Sequence, residues 1–176
     1  MRPNLDEWIS KPTLRVAYRR DSAAPPEQLW EAARSVRLRD TRLLGRLVRW
    51  RIPGLSPSLS FDEMFRNPPF IALVDGDDRL VAGLVGRIWT LRRDYPQPST
   101  AEEFRGWSSS GTAQVVFANW IEPAGEGTAL HSETRVRAIG AQGRVGVAAV
   151  RPLVSAFAGL VGSDGLEAAV RAAERR

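Results

Sequence analysis

The feature that most constrains this chain is a pair of alternating stretches in its second half. Gly111 to Glu122 contains Val115-Val116-Phe117-Ala118-Asn119-Trp120. Thr128 to Ile139 contains Leu130, Ser132, Thr134 and Val136 at every second position. Pro123-Ala124-Gly125-Glu126-Gly127 turns the chain between them, so the two predict an antiparallel hairpin. A second hairpin precedes it. Phe70-Ile71-Ala72-Leu73-Val74 reads as a strand, Asp75-Gly76-Asp77-Asp78 as a tight connection with an Asp-Gly signal, and Arg79 to Thr90 as a longer partner strand. Leu14 to Arg20 is a first strand, with Leu14, Val16 and Tyr18 on one face.

Helical signals are segregated from these strands. Pro25-Pro26 ends the first strand and suits the first turn of a helix, where Glu27 complements the dipole. Leu29, Trp30, Ala33 and Val36 form its apolar stripe. Asp40 is an N-cap candidate for a second helix with Leu43, Leu44, Leu47 and Val48 on one face. From Leu55 to Pro69 the chain reads as turns, with at most a short strand around Ser58 to Phe65. Ser99 or Thr100 can cap a short helix over Ala101 to Arg105, and Ser99 with Glu102 has capping-box spacing. After Gly140, helical spacing returns through Val145, Ala148, Ala149, Leu153, Ala156, Phe157 and Leu160, with a kink or break expected at Pro152. Hairpin-linked strands with separate helices predict an α+β fold.

The length of 176 residues suits one domain. No cysteine is present, which excludes disulfides, thiolate catalysis and cysteine-ligated metal, and is compatible with a reducing cytoplasm. The opening Met1 to Ser10 is polar and does not read as a signal peptide. No apolar stretch reaches the ~20 residues of a membrane span. The net charge is +5, and Lys11 is the only lysine; so lopsided an arginine excess reads as the base composition of a GC-rich genome.

Two stretches carry a family resemblance. One is Ala24-Pro25-Pro26-Glu27-Gln28-Leu29-Trp30 directly after a first strand. The other is the ending: Val115 to Trp120, a turn, Thr128-Ala129-Leu130-His131-Ser132-Glu133-Thr134-Arg135-Val136, then a helix. In both the chain resembles the SRPBCC superfamily, the START-like and birch-pollen-allergen-like helix-grip proteins, over about Leu14 to Leu160. It departs from that pattern in the last helix, which carries Pro152, Gly159, Gly162 and Gly165. The resemblance implies a helix-grip fold: a curved antiparallel sheet wrapped around a long C-terminal helix, with two short helices after the first strand. It implies a single START-like domain over 1–176, with 1–12 as an N-terminal tail and 163–176 as a C-terminal extension. It also implies an apolar cavity for a lipid, polyketide or similar molecule.

Strand parity assigns faces independently. Leu84 and Ile88, Val115, Phe117 and Asn119, and Leu130, Ser132 and Thr134 point one way. With Leu153 and Phe157 of the last helix, they are the candidate ligand-binding residues. The mixture of apolar groups with a few polar ones suits a ligand pocket; the same polar groups could instead bond within the sheet. Gly83 and Gly86 leave room for a ligand or let the sheet bend. His131, Glu133, Arg135 and Arg137 fall on the other face, expected to be solvent.

Candidate chemistry is sparse. His131 is the only histidine, and its parity removes it from a catalytic triad. Gly106-Trp107-Ser108-Ser109-Ser110-Gly111 lacks the second glycine of a nucleophile elbow. Asp75, Asp77 and Asp78 lack calcium-loop spacing. No catalytic residue, metal ligand or cofactor is therefore assigned. The leading expectation is a cytoplasmic binder or carrier of a hydrophobic small molecule, with no specific nucleic-acid partner and a homodimer left open. Two alternatives stand beside it. One is a cyclase- or dehydratase-like enzyme using Asn119, Ser132 or Thr134. The other is a surface module using the run Arg34, Arg37, Arg39, Arg42, Arg46, Arg49 and Arg51 on anionic lipid or nucleic acid.

Overall fold

The computed structural model describes residues 2–41, 46, 56–90, 95–160 and 164–175, with the backbone alone over 153–160. Nearly all of the expected second helix, Arg42, Arg49 and Arg51 of the arginine run, and the side chains of Leu153 and Phe157 lie outside the described residues.

Five antiparallel strands form one sheet in the order β1-β5-β4-β3-β2. They are β1 (Leu14–Ser22), β2 (Ile71–Asp75), β3 (Arg79–Gly86), β4 (Thr112–Ala124) and β5 (Gly127–Ile139). The β4–β5 hairpin turns at Gly125, whose φ of +59° suits glycine. β3 stops at Gly86, at φ +143°, and Thr90 N–H donates to the Arg87 carbonyl in the turn that follows. The strand is therefore shorter than expected, and Ile88 lies beyond it.

The helices are α1 (Pro26–Ser35), α2 (Phe61–Arg66), α3 (Ala101–Arg105), α4 (Gly140–Leu160) and α5 (Leu166–Ala173). Proline opens α1, as expected. α2 replaces the expected turn or strand. Its cause is a capping box: Ser60 Oγ accepts from Glu63 N–H at 3.1 Å, and Ser60 N–H donates to the Glu63 carboxylate at 2.9 Å. At α3 the cap is Thr100, one of the two candidates, its Oγ1 accepting from Glu103 N–H at 3.1 Å. α4 runs through Pro152. α5 is amphipathic rather than a polar appendage: Leu166, Ala168, Ala169 and Ala173 are buried.

Register stacks the side chains of one face in rows across the sheet. Leu14, Val136, Val115 and Leu84 form one row, Val16, Thr134, Phe117 and Ala82 the next, and Tyr18, Ser132, Asn119 and Leu80 a third. α1, α4 and α5 pack over this face, with α2 against α1 and β2.

The other face is not solvent. Val81, Val85, Val116, Ala118 and Trp120 are buried under Leu5, Trp8 and Ile9 of the N-terminal segment and Phe104 of α3. Phe104 fits because Gly83 has no side chain; a Cβ there would stand 2.6 Å from its ring. Gly83 thus makes room for a phenylalanine, and residues 2–9 are a packed strap rather than a loose tail. Glu133 and Arg135, expected in water, are buried here at 1% and 7% exposure. Arg15 and Arg135 oppose each other across β1 and β5, and Glu133 separates these like charges. It accepts from Arg15 at 2.8 and 3.0 Å and from Arg135 Nε at 2.7 Å. Arg135 Nη1 also donates to Asp6 and, at 2.8 Å, to the Ile9 carbonyl, so one guanidinium ties the strap to the sheet.

Candidate functional site

The third row of the helical face and the row beyond it floor a cleft, with Leu80 and Asn119 of β3 and β4 from the third row and Leu130 of β5 from the next. Its walls are Trp30, Ala33 and Val36 on and just after α1, Phe61 and Phe65 of α2, and Leu166 and Ala169 of α5. Its volume is about 50 Å³. At its rim Arg34 Nε donates to Asp62 at 3.1 Å, and Asp62 also accepts from Arg66, which reaches on to Asp75. These pairs are partly solvent-exposed and stabilise little, ~0–1 kcal/mol each; Arg34–Asp62 links α1 to α2, and Arg66–Asp75 links α2 to β2.

The α2 wall is rigid. Phe65 packs on Phe70 at 5.2 Å and on Phe117 at 5.5 Å between ring centroids, and Phe70 meets Phe117 edge-on at 5.7 Å. Such aromatic contacts each contribute ~0.5–1.5 kcal/mol beyond area burial. Trp30 buries its Nε1 without an acceptor among the described residues.

Polar groups are few. Tyr18, Ser132 and Asn119 lie side by side on β1, β5 and β4, and none of these side chains has a hydrogen-bond partner among the described residues. Of the three, Asn119 lines the cleft. Its amide offers a donor and an acceptor at the floor of an otherwise apolar space.

The candidate residues divide. Asn119 and Leu130 line the cleft. Ser132 flanks Asn119 in the same row, and Thr134 opposes Phe117 in the next. Leu84 and Val115 are buried in a separate cluster with Leu14, Val136 and Val147, and Ile88 packs at its margin; Phe117 touches both clusters. The lining residues missed are Leu80 of β3, Trp30, Ala33 and Val36 on and just after α1, and those of α2 and α5, elements read as a turn and as an extension. The capping box at Ser60 and the spacing of Leu166, Ala169 and Ala173 were the available signals.

His131 stacks on Trp120, with rings 4.9 Å apart and 6° from parallel, and Nε2 stands 3.3 Å from Glu122. Burial pushes its pKa below the usual value, against the pull of Glu122. It lies on the strap face, opposite the cleft. Among the described residues, no three His, Asp or Glu side chains gather as a metal site, and no helix is long and apolar enough to cross a membrane.

No family model matches the chain. No curated protein matches it either. Among solved structures it is similar to a protein of Thermus thermophilus at 12% identity, covering 92% of this chain and 98% of the other, with a TM-score of 0.35. It is also similar to a protein of Rhizobium loti at 16% identity, covering 90% and 96%, with a TM-score of 0.37. At these scores the likeness carries no argument about fold or function.

Proposed function

We propose that this chain is a START-like helix-grip protein that binds a small hydrophobic molecule in the cleft between the sheet, α1, α2 and α5. The observation that carries the reading is the lining: apolar walls around an Asn119 amide with no partner among the described residues. The amide is half-buried and has donor and acceptor capacity to spare for a guest. A guest with one hydroxyl or carbonyl would meet that amide while its apolar body displaces water. Asn119 orients the guest, the aromatic wall of α2 fits its shape, and the Arg34–Asp62 pair borders its entrance.

Among the described residues that line the cleft, Asp62 is the one carboxylate, and two arginines hold it. Binding rather than turnover is the reading this favours. Native mass spectrometry of protein purified from its host, with organic extraction, tests it. A co-purifying apolar compound is expected, lost when Ala33→Trp fills the cleft. Protein that carries nothing, and takes up no apolar probe that Ala33→Trp can exclude, overturns the proposal.

A further inference from the structure

We infer that Gln114 and Arg137 hold one internal water molecule between the sheet and the loop after α3. The site lies on the strap face, opposite the cleft, and stands apart from the binding role proposed above. Gln114 of β4 and Arg137 of β5 are direct partners in the antiparallel register, so their side chains share a face. Gln114 is fully buried. Each commits part of its side chain to the segment that crosses above it. Gln114 Nε2 donates to the Phe104 carbonyl of α3, and Arg137 Nη2 donates to the Trp107 carbonyl at 2.9 Å. What remains is Gln114 Oε1 and Arg137 Nε. Both atoms are shut off from solvent, and neither has a hydrogen-bond partner among the described residues.

The two unmatched atoms are complementary. The bond to Phe104 fixes the amide, because the reversed amide would set Oε1 against a carbonyl oxygen. Gln114 therefore offers an acceptor only, and Arg137 Nε–H a donor only. Directly opposed residues of antiparallel strands stand about 4.5–5.5 Å apart at Cβ. The two atoms thus share one neighbourhood, while the bonds to Phe104 and Trp107 draw both side chains toward the α3 loop. A group that joins them must accept from Nε and donate to Oε1. An anion cannot donate, and a cation cannot accept and would face the guanidinium charge. A neutral hydroxyl does both, and a site closed to solvent at both atoms suits the smallest of these, water. Buried waters make about three hydrogen bonds to groups otherwise left unsatisfied; the second lone pair of the Phe104 or Trp107 carbonyl supplies the third. The water then joins β4, β5 and the α3 loop. It extends the polar seam in which Trp107 Nε1 donates to Thr112 at 3.1 Å and Thr112 donates to the Ser109 carbonyl at 2.6 Å.

Nuclear magnetic resonance tests this on the unaltered chain. The Gln114 side-chain amide and the Arg137 Nε–H should each show a cross-peak to water, of opposite sign in the laboratory-frame and rotating-frame Overhauser spectra. Opposite signs mark a resident water, whereas equal signs mark proton exchange with solvent. Equal signs, or no peak, at both groups overturn the inference. Variants supply the second arm, read by oxygen-17 relaxation dispersion, which counts long-lived internal waters. Gln114→Met removes the acceptor at similar volume, and Arg137→Lys keeps the charge but removes the Nε–H. Each should lower the count by one. Gln28→Met, which removes an amide already bonded to the Ala173 carbonyl, should leave it unchanged. A count that stays the same in both Gln114→Met and Arg137→Lys refutes the water. If Gln114→Met fails to fold, Arg137→Lys and the spectra of the unaltered chain decide.

Discussion

At the residue scale, the most consequential side chain is Glu133. Burial pushes its carboxyl up, but the hydrogen bonds and charges of Arg15 and Arg135 outweigh this and hold it below its ordinary value. Removing it would leave two guanidiniums facing each other across β1 and β5, one of them buried. Breaking a buried pair in this way costs about 3–5 kcal/mol. Glu133→Ala should therefore lower the urea midpoint steeply, and Glu133→Gln, which keeps the shape, should recover only part of it. The sign of the pH effect follows. A depressed carboxylate stabilises fully above its unfolded value of about 4.5 and loses that contribution as the pH falls through the lower folded value. His131 behaves differently. Burial against Trp120 lowers its pKa, so the unfolded chain takes up the proton first. Stability should then decline as the pH falls below about 6.5. His131→Phe, which keeps the stack without titrating, should flatten that part of a melting-temperature profile. An unchanged slope would show that some other group carries it.

At the scale of single elements, helix propensity and packing oppose each other at Gly146 in α4. Alanine is favoured over glycine inside a helix by about 1 kcal/mol. A Cβ at Gly146, however, would fall inside van der Waals contact with the Trp89 ring. Overpacking of this kind costs ~1–3 kcal/mol, so Gly146→Ala should destabilise by thermal melt despite its better propensity. Gly146→Ala with Trp89→Leu should return the lost stability; a stabilised single variant would mean the ring yields freely. The same conflict of signals decides what could be read beforehand. The two hairpins and α1 were legible because their cues agree: alternation, an Asp-Gly or Gly-rich turn, a proline pair at a helix start. α2 was obscured because Pro57 and Pro68-Pro69 crowd it, though Ser60 and Glu63 spell its cap. α5 was obscured because its buried face is written mostly in alanine, which carries little hydrophobic contrast.

At the scale of the whole molecule, the sheet is covered on both faces, and this explains both the candidate residues that were placed well and those that were not. Parity correctly grouped Asn119, Leu130, Ser132 and Thr134. It failed for Glu133 and Arg135 because a charge at an outward position was taken to mean water. The contrary evidence lay on the neighbouring strands. Val81 and Val85 of β3 and Val116, Ala118 and Trp120 of β4 occupy that same face, and strands apolar on both faces need two covers. Among the described residues, the segment before β1 and Phe104 of α3 supply that second cover. Leu5, Trp8 and Ile9 supply it, fixed by Arg135 and by Arg105 lying 4.7 Å over the Trp8 ring. The strap is thus half of a core. Truncating one large buried apolar side chain costs about 2–5 kcal/mol, comparable to a sizeable share of the ~5–15 kcal/mol that holds a domain together. Leu5→Ala should accordingly cost several kcal/mol in chemical denaturation. Deleting residues 1–9 should bare the Val81–Val116–Trp120 face and drive self-association, visible as a rise in mass by light scattering. Arg2→Gln, which removes a half-exposed tie to Glu133 and a guanidinium 6.0 Å from the Trp120 ring centroid but leaves the apolar strap in place, should do neither. A truncated chain that stays monomeric with an unchanged midpoint would show that α3 alone suffices to cover that face.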